Sequence, residues 1–289
     1  LPVSGDWYDV CWAQELGIFC AVADSYVVTS PDGITWTRRT AGVSAYLWWT
    51  ICWNGSIFVA MANRNAFDTV MTSPDGITWT LRTVITTPGG YNISATNHSV
   101  CWSPARSLFL AYGVNSAVGA ATSPDGITWT DRVTFPGGGH EGGVWAPFIS
   151  GGLFVVCNGS FPPNNIKTSP DGITWTSRSG AASITGAYMC FSPELDLIVM
   201  TGGQTNVATS PDGINWTSRA TGVGNVWTAI DWSPAERRFI AVGYGPAGCA
   251  HPNATMMSSP DGITWTKPTS RAPAPHRCAN AAWDPGAGA

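Results

Sequence analysis

Short apolar runs follow one another along the chain, and clusters of Gly, Pro, Asn and Asp separate them. Tyr8–Ala13, Ile18–Ala23 and Tyr26–Thr29 are the first three runs, and Ile34–Arg38 is a fourth. Each is short and rich in β-branched or aromatic residues, which predicts strands. The second run is echoed by Ile57–Ala62, Leu108–Tyr112, Leu153–Cys157, Leu197–Thr201 and Phe239–Gly243. No segment sustains the 3.6-residue period of a long helix. The pattern is that of an all-β chain built from one recurring unit.

The unit is marked by an octapeptide, Ser-Pro-Asp-Gly-Ile-Thr-Trp-Thr, which begins at Ser30, Ser73, Ser123, Ser169, Ser210 and Ser259 and departs only at Asn215. Its copies lie about 40–50 residues apart, the period of propeller blades and related arrays. Proline presets φ at the second position of a tight turn, the aspartate bonds back to nearby amides, and glycine supplies φ > 0. Asp32, Asp75, Asp125, Asp171, Asp212 and Asp261 are therefore expected to close the hairpin between the third and fourth strands. Trp36, Trp79, Trp129, Trp175, Trp216 and Trp265 are expected as wedges between units. Four strands make one blade, and a blade hides little apolar surface until it packs on neighbours. The reading is a six-bladed β-propeller of four-stranded antiparallel blades in one domain, 1–289. Its repeats run over 1–40, 41–84, 85–134, 135–180, 181–221 and 222–270, with a closing segment, 271–289. Ala281-Ala282-Trp283-Asp284-Pro285 resembles a seventh first strand, so a seven-bladed or truncated array is the alternative.

The octapeptide resembles the Asp-box, or BNR-type, repeat of sialidase-like propellers, with the Asp-Gly spacing one residue tighter. The variant is similar to repeats of bacterial surface proteins and of bacteriophage tail or virion proteins. The resemblance covers nearly the whole chain as architecture and speaks to fold more than to function.

Composition narrows the setting. Charged residues are only 11% of the chain and apolar residues 44%, so Ser, Thr, Asn and Gly build much of the surface, as in extracellular or virion proteins. A net charge of −4 gives no basic footprint for nucleic acid. No run approaches the ~18 apolar residues that span a bilayer. The N-terminal Leu-Pro-Val-Ser-Gly has neither a charged nor an apolar leader segment, so either a leader has been removed or release is by lysis or assembly. Cys11, Cys52, Cys101 and Cys190 share one repeat position and are expected as small buried hydrophobes. Cys249 and Cys278, which flank the last repeat, are a candidate disulfide.

The resemblance raises sialidase chemistry, which needs an arginine triad on the substrate carboxylate and a Tyr activated by Glu. Arg39, Arg82, Arg132, Arg178 and Arg219 instead occupy one repeat position. Of the four Glu residues, Glu15, Glu194 and Glu236 fall in the connection between first and second strands. Asp9 and Asp231 are the carboxylates on first strands, and Asp231 stands where the other repeats have Cys, which makes it the most unusual buried carboxylate. His98, His140, His251 and His276 show no metal-ligand spacing. No catalytic residue, metal or cofactor is expected.

Binding is the remaining expectation. Of the 16 Trp, five belong neither to the octapeptides nor to the first-strand Cys-Trp position: Trp7, Trp48, Trp49, Trp145 and Trp227. All five are read as preceding a first strand, beside the variable second-to-third connections. Those connections bring Arg64 and Phe67, Asn115, Phe161, Asn164 and Asn165, and Tyr244, His251 and Asn253. Aromatic platforms beside amides and Arg suit sugars. The expectation is a non-enzymatic module that binds carbohydrate or a host or cell-surface receptor. The alternative is a scaffold in a virion or extracellular assembly, with the same Trp residues simply filling the spaces between blades.

Overall fold

The computed structural model describes residues 7–23, 25–40, 47–63, 70–82, 98–113, 119–134, 142–147, 151–157, 166–178, 188–202, 206–222, 226–244 and 254–267. These residues hold strands and turns and no helix. The chain divides into two compact units, 1–140 and 141–289, each carrying three sheets.

In the first unit the first sheet is β1 (Trp7–Ala13), β2 (Ile18–Ala23), β3 (Val27–Ser30) and β4 (Thr37–Arg39). The second is β5 (Leu47–Trp53), β6 (Phe58–Asn63), β7 (Val70–Ser73) and β8 (Thr80–Arg82). The third is β9 (His98–Ser103), β10 (Leu108–Gly113), β11 (Gly119–Ser123) and β12 (Thr130–Thr134). In the second unit the fourth sheet is β13 (Gly142–Ala146), β14 (Leu153–Cys157), β15 (Ile166–Ser169) and β16 (Thr176–Arg178). The fifth is β17 (Tyr188–Ser192), β18 (Leu197–Thr201), β19 (Asn206–Ser210) and β20 (Thr217–Ala220). The sixth is β21 (Val226–Ser233), β22 (Arg238–Tyr244) and β23 (Ala254–Ser259). Every sheet is an antiparallel meander in which each strand pairs with the next along the chain. In the sixth a single bridge, Ser258 to Thr266, stands in for a fourth strand among the described residues. The sequence there carries Lys267-Pro268 where the other copies have Arg at the second position.

The aspartate and serine of the octapeptide bond in the same way in all six copies, and the second copy shows the turn in full. The aspartate Oδ1 accepts the amide N–H groups two and three residues on, as with Asp75 from Ile77 (2.8 Å) and Thr78 (2.7 Å). The preceding serine, wholly buried, donates its hydroxyl to that carboxylate and accepts the amides of Asp75 and Gly76. The indole N–H of Trp79 donates to the Gly76 carbonyl. These bonds hold Asp-Gly-Ile-Thr in the turn, so the fourth strand begins at Thr37, later than the Ile34 expected from the apolar run. Two residues past the octapeptide, a recurring bond fastens the outer strand in five sheets. Arg39, Arg82, Arg132, Arg178 and Arg219 each donate from Nε to the threonine hydroxyl of the third strand, at 2.7–3.3 Å.

The core lies between neighbouring sheets of a unit. Ala13, Cys20, Val22 and Val27 of the first sheet pack on Trp48, Phe58, Ala60, Met71 and Trp79 of the second. Val59, Met61 and Val70 then meet Val100, Phe109, Ala111 and Ala121 of the third. In the second unit, Val155, Cys157 and Ile166 face Ile198, Met200, Ala208 and Trp216. Val199 and Val207 likewise face Trp227, Phe239, Met257 and Trp265. The octapeptide Trp is thus a wedge against the preceding sheet at Trp79, Trp129, Trp216 and Trp265.

Candidate binding surface

Register places the start of each first strand beside the end of its second strand. The pairs are Trp7 with Ala23, Leu47 with Asn63, His98 with Gly113, Gly142 with Cys157, Tyr188 with Thr201, and Val226 with Tyr244. At this end of every sheet the variable second-to-third connections emerge.

Three first strands carry a bulge there, between Trp7 and Asp9, Trp48 and Thr50, and Trp227 and Ala229. A bulge leaves one residue unpaired and re-aims its side chain. The residues so displaced are Tyr8, Trp49 and Thr228. Trp7, Trp48 and Trp227 lie inside the strands and not in the connections before them, and all three are buried, Trp48 and Trp227 to 0% and 1% exposure. Trp48 packs in one cluster with residues of the first sheet and Trp227 with residues of the fifth, whereas Trp7 packs on Ala21, Ala23 and Val28 of its own sheet. Trp145 also departs from the expectation. It pairs with Phe154 in the register that joins Trp12 to Phe19, Trp53 to Phe58 and Trp232 to Phe239. Trp145 is therefore the first-strand aromatic of its own repeat, is buried, and makes an edge contact with Phe154 at 4.7 Å.

Trp49 is different. It is half-buried and stacks on Tyr8, also half-buried, with ring centroids 4.3 Å apart and planes at 25°. The pair joins β1 to β5. Next to Tyr8 in the chain, Asp9 is buried and links the same two strands. Its Oδ1 accepts the Val10 amide (2.8 Å), and its Oδ2 accepts the Thr50 hydroxyl (2.9 Å) and the Ile51 amide (2.8 Å). Asp9 is thus more buried than Asp231, which is only half-buried and accepts the Trp232 amide at 2.8 Å. At the same end of the first sheet the Arg38 guanidinium lies 3.8 Å over the Tyr26 ring.

Further down the first strands, Cys11, Cys52 and Cys101 occupy one register position, and Cys190 holds it in the fifth sheet. Burial raises all four thiols, that of Cys52 to about 12, and Asp9 adds to the effect at Cys11 and Cys52. Asp231 does the same for Cys190. Among the described residues no group of His, Cys, Asp and Glu side chains could hold a metal ion.

Arg64, Phe67, Asn115, Phe161, Asn164, Asn165, His251 and Asn253 lie outside the described residues, as do Cys249 and Cys278. Tyr244 is placed as the last residue of β22. Sequence reasoning missed Tyr8, Tyr26 and the Asp9–Thr50 link. Tyr8 was legible as an aromatic beside Trp7, but its re-aiming depends on a bulge that no local residue signals.

No family model and no curated protein sequence matches the chain. Its structure is similar to a solved structure described as YCF48 bound to D1 peptide, with a TM-score of 0.63 and 17% identity over 92% of this chain and 82% of that one. The likeness gives the fold: an all-β propeller of six antiparallel blades.

Proposed function

We propose that this propeller is a non-catalytic binding module, that its ligand is a carbohydrate on a host or cell surface, and that it works outside the cell or on a virion. The observation that carries this reading is the half-buried Tyr8–Trp49 stack at the end of the inner strands where the variable connections emerge. An aromatic face receives the CH face of a pyranose, and polar groups around it meet the hydroxyls. Tyr26 with Arg38 adds a third aromatic and a cation at the same end of the first blade. The five outer-strand arginines are engaged with threonine hydroxyls, which argues against their forming an anion-binding triad of sialidase type.

A second reading is protein docking, as a scaffold in an assembly. It is favoured by the similar propeller described as bound to a peptide and by the low charge of this chain. A glycan array and a peptide array probed with the same labelled protein separate the two. Glycan hits lost on Trp49→Ala are expected. A blank glycan array at high protein concentration, with peptide hits or recovery only inside a larger particle, overturns the carbohydrate reading.

A further inference from the structure

We propose that Asp9 is the positioning residue of a single preorganised aromatic platform, Tyr8 with Trp49; the inference rests on reading this end of the inner strands as the ligand surface. Tyr8 and Trp49 sit at bulges, where the regular alternation of the strand no longer fixes a side chain. What fixes them is the residue that follows each. Asp9 follows Tyr8 and Thr50 follows Trp49, and the buried carboxylate of one accepts the hydroxyl of the other at 2.9 Å. The Ile51 amide, at 2.8 Å, gives the same carboxylate oxygen a second donor from β5. Three donors from two blades on one carboxylate leave little play between β1 and β5, so the Tyr8 and Trp49 rings are held in contact. Charge-assisted bonds of this kind are stronger than neutral ones, which suits a clamp.

The sixth blade supplies an internal comparison. Its strand β21 has the same bulge, yet the displaced residue is Thr228 and the following one is Ala229, which has no side-chain acceptor. Among the described residues the clamp and the aromatic pair occur together and at one place. This predicts one platform per chain. A platform already held in its binding geometry spares the ligand the ordering of two side chains.

The test uses the full chain labelled with 5-fluorotryptophan, in which Trp49→Phe identifies the Trp49 fluorine resonance and Tyr8→Ala gives its position without the stack. Thr50→Val keeps the side-chain shape and removes the hydroxyl, whereas Thr50→Ser retains it. The Trp49 resonance is expected to move toward its unstacked position in Thr50→Val and in Asp9→Asn, and to stay in Thr50→Ser, while the resonances of the buried Trp48 and Trp227 hold still. An unmoved Trp49 resonance in a folded Thr50→Val protein overturns the proposal. So does a common shift of all the Trp signals, which marks general loosening. Any glycan that binds the wild type is expected to bind Asp9→Asn at least about tenfold more weakly, at one site per chain. A blank glycan array removes the proposed ligand class but leaves the fluorine result to decide the clamp.

Discussion

Each octapeptide aspartate is held below the ordinary carboxylate value of about 4. At Asp32 the Thr35 and Ile34 amides and the Ser30 hydroxyl lower it to about 2. At Asp75, Asp125, Asp171 and Asp261 burial pushes the other way, but the two amides and the serine outweigh it. At Asp212 the same contest is won with the help of the Asn215 side chain. A carboxylate with a lowered folded pKa contributes stability that is complete above its unfolded value and lost as pH falls through the folded one. Thermal midpoints followed by circular dichroism are therefore expected to be level from pH 7 to about 5 and to fall progressively between about pH 4 and 2. A level midpoint down to pH 2.5 would contradict this. The turn glycines permit a sharper comparison. A Cβ on Gly126, at φ 71°, would stand 2.5 Å from Val59 of the preceding blade, whereas one on Gly17, at φ 62°, would meet nothing within 4 Å. Gly126→Ala is expected to cost about 2–4 kcal/mol, from backbone strain and clash together. Gly17→Ala should cost about 1–2 kcal/mol, from strain alone. Urea denaturation reads both, and equal losses would remove the packing role assigned to the turn.

At the scale of the element, the first-to-second hairpins differ from the octapeptide turns in what they leave unrelieved. Ser107, Asp196 and Arg237 have φ of 47–49°, the position Gly17 holds in the first blade. The chain tolerates them because Ser103, Ser192 and Ser233 accept the amides of Arg106, Leu195 and Glu236 and fasten the turn. Glycine has no Cβ to strain at that position. Arg237→Gly and Asp196→Gly are each expected to stabilise the protein by about 0.5–1 kcal/mol, seen as a shift of the urea midpoint at unchanged slope. A loss of stability would show that these side chains contribute more than their backbone strain costs. The outer strands were the elements least well read from sequence. Their apolar run, Ile34-Thr35-Trp36, looks like a strand, yet the aspartate draws the first two amides into the turn, and Ile34 is left 84% exposed.

At the scale of the whole molecule, the repeated first-strand thiols differ in cover: Cys190 is buried, as is Cys20 of β2, whereas Cys11, Cys52 and Cys101, expected as buried, are half-buried. Cys11, Cys20, Cys52, Cys101 and Cys190 are all raised by burial. Native protein at pH 7.5 is expected to alkylate at these five positions at least about 100-fold more slowly than urea-unfolded protein, since the thiolate is the nucleophile. Peptide mass spectrometry after iodoacetamide treatment checks it, and fast labelling of Cys52 or Cys101 would mean that solvent reaches the inner strands.

The all-β class, the six repeats and the turn that closes each outer hairpin are legible in the amino-acid order alone, as is the wedge role of Trp79, Trp129, Trp216 and Trp265. Those features depend on residues close in the chain: a Pro-Asp-Gly turn makes its own hydrogen bonds wherever it stands. Tertiary structure decided which of the non-repeat tryptophans meet solvent. Trp7, Trp48 and Trp227 look like surface aromatics in sequence but are covered by neighbouring strands, and Trp145 belongs to a strand whose register only pairing with Phe154 reveals. The same holds for Asp9. A buried carboxylate needs donors, and these come from Thr50 and Ile51, some forty residues away in the next blade. Local chemistry wrote the scaffold, and contact between blades selected Tyr8 and Trp49 as its candidate face.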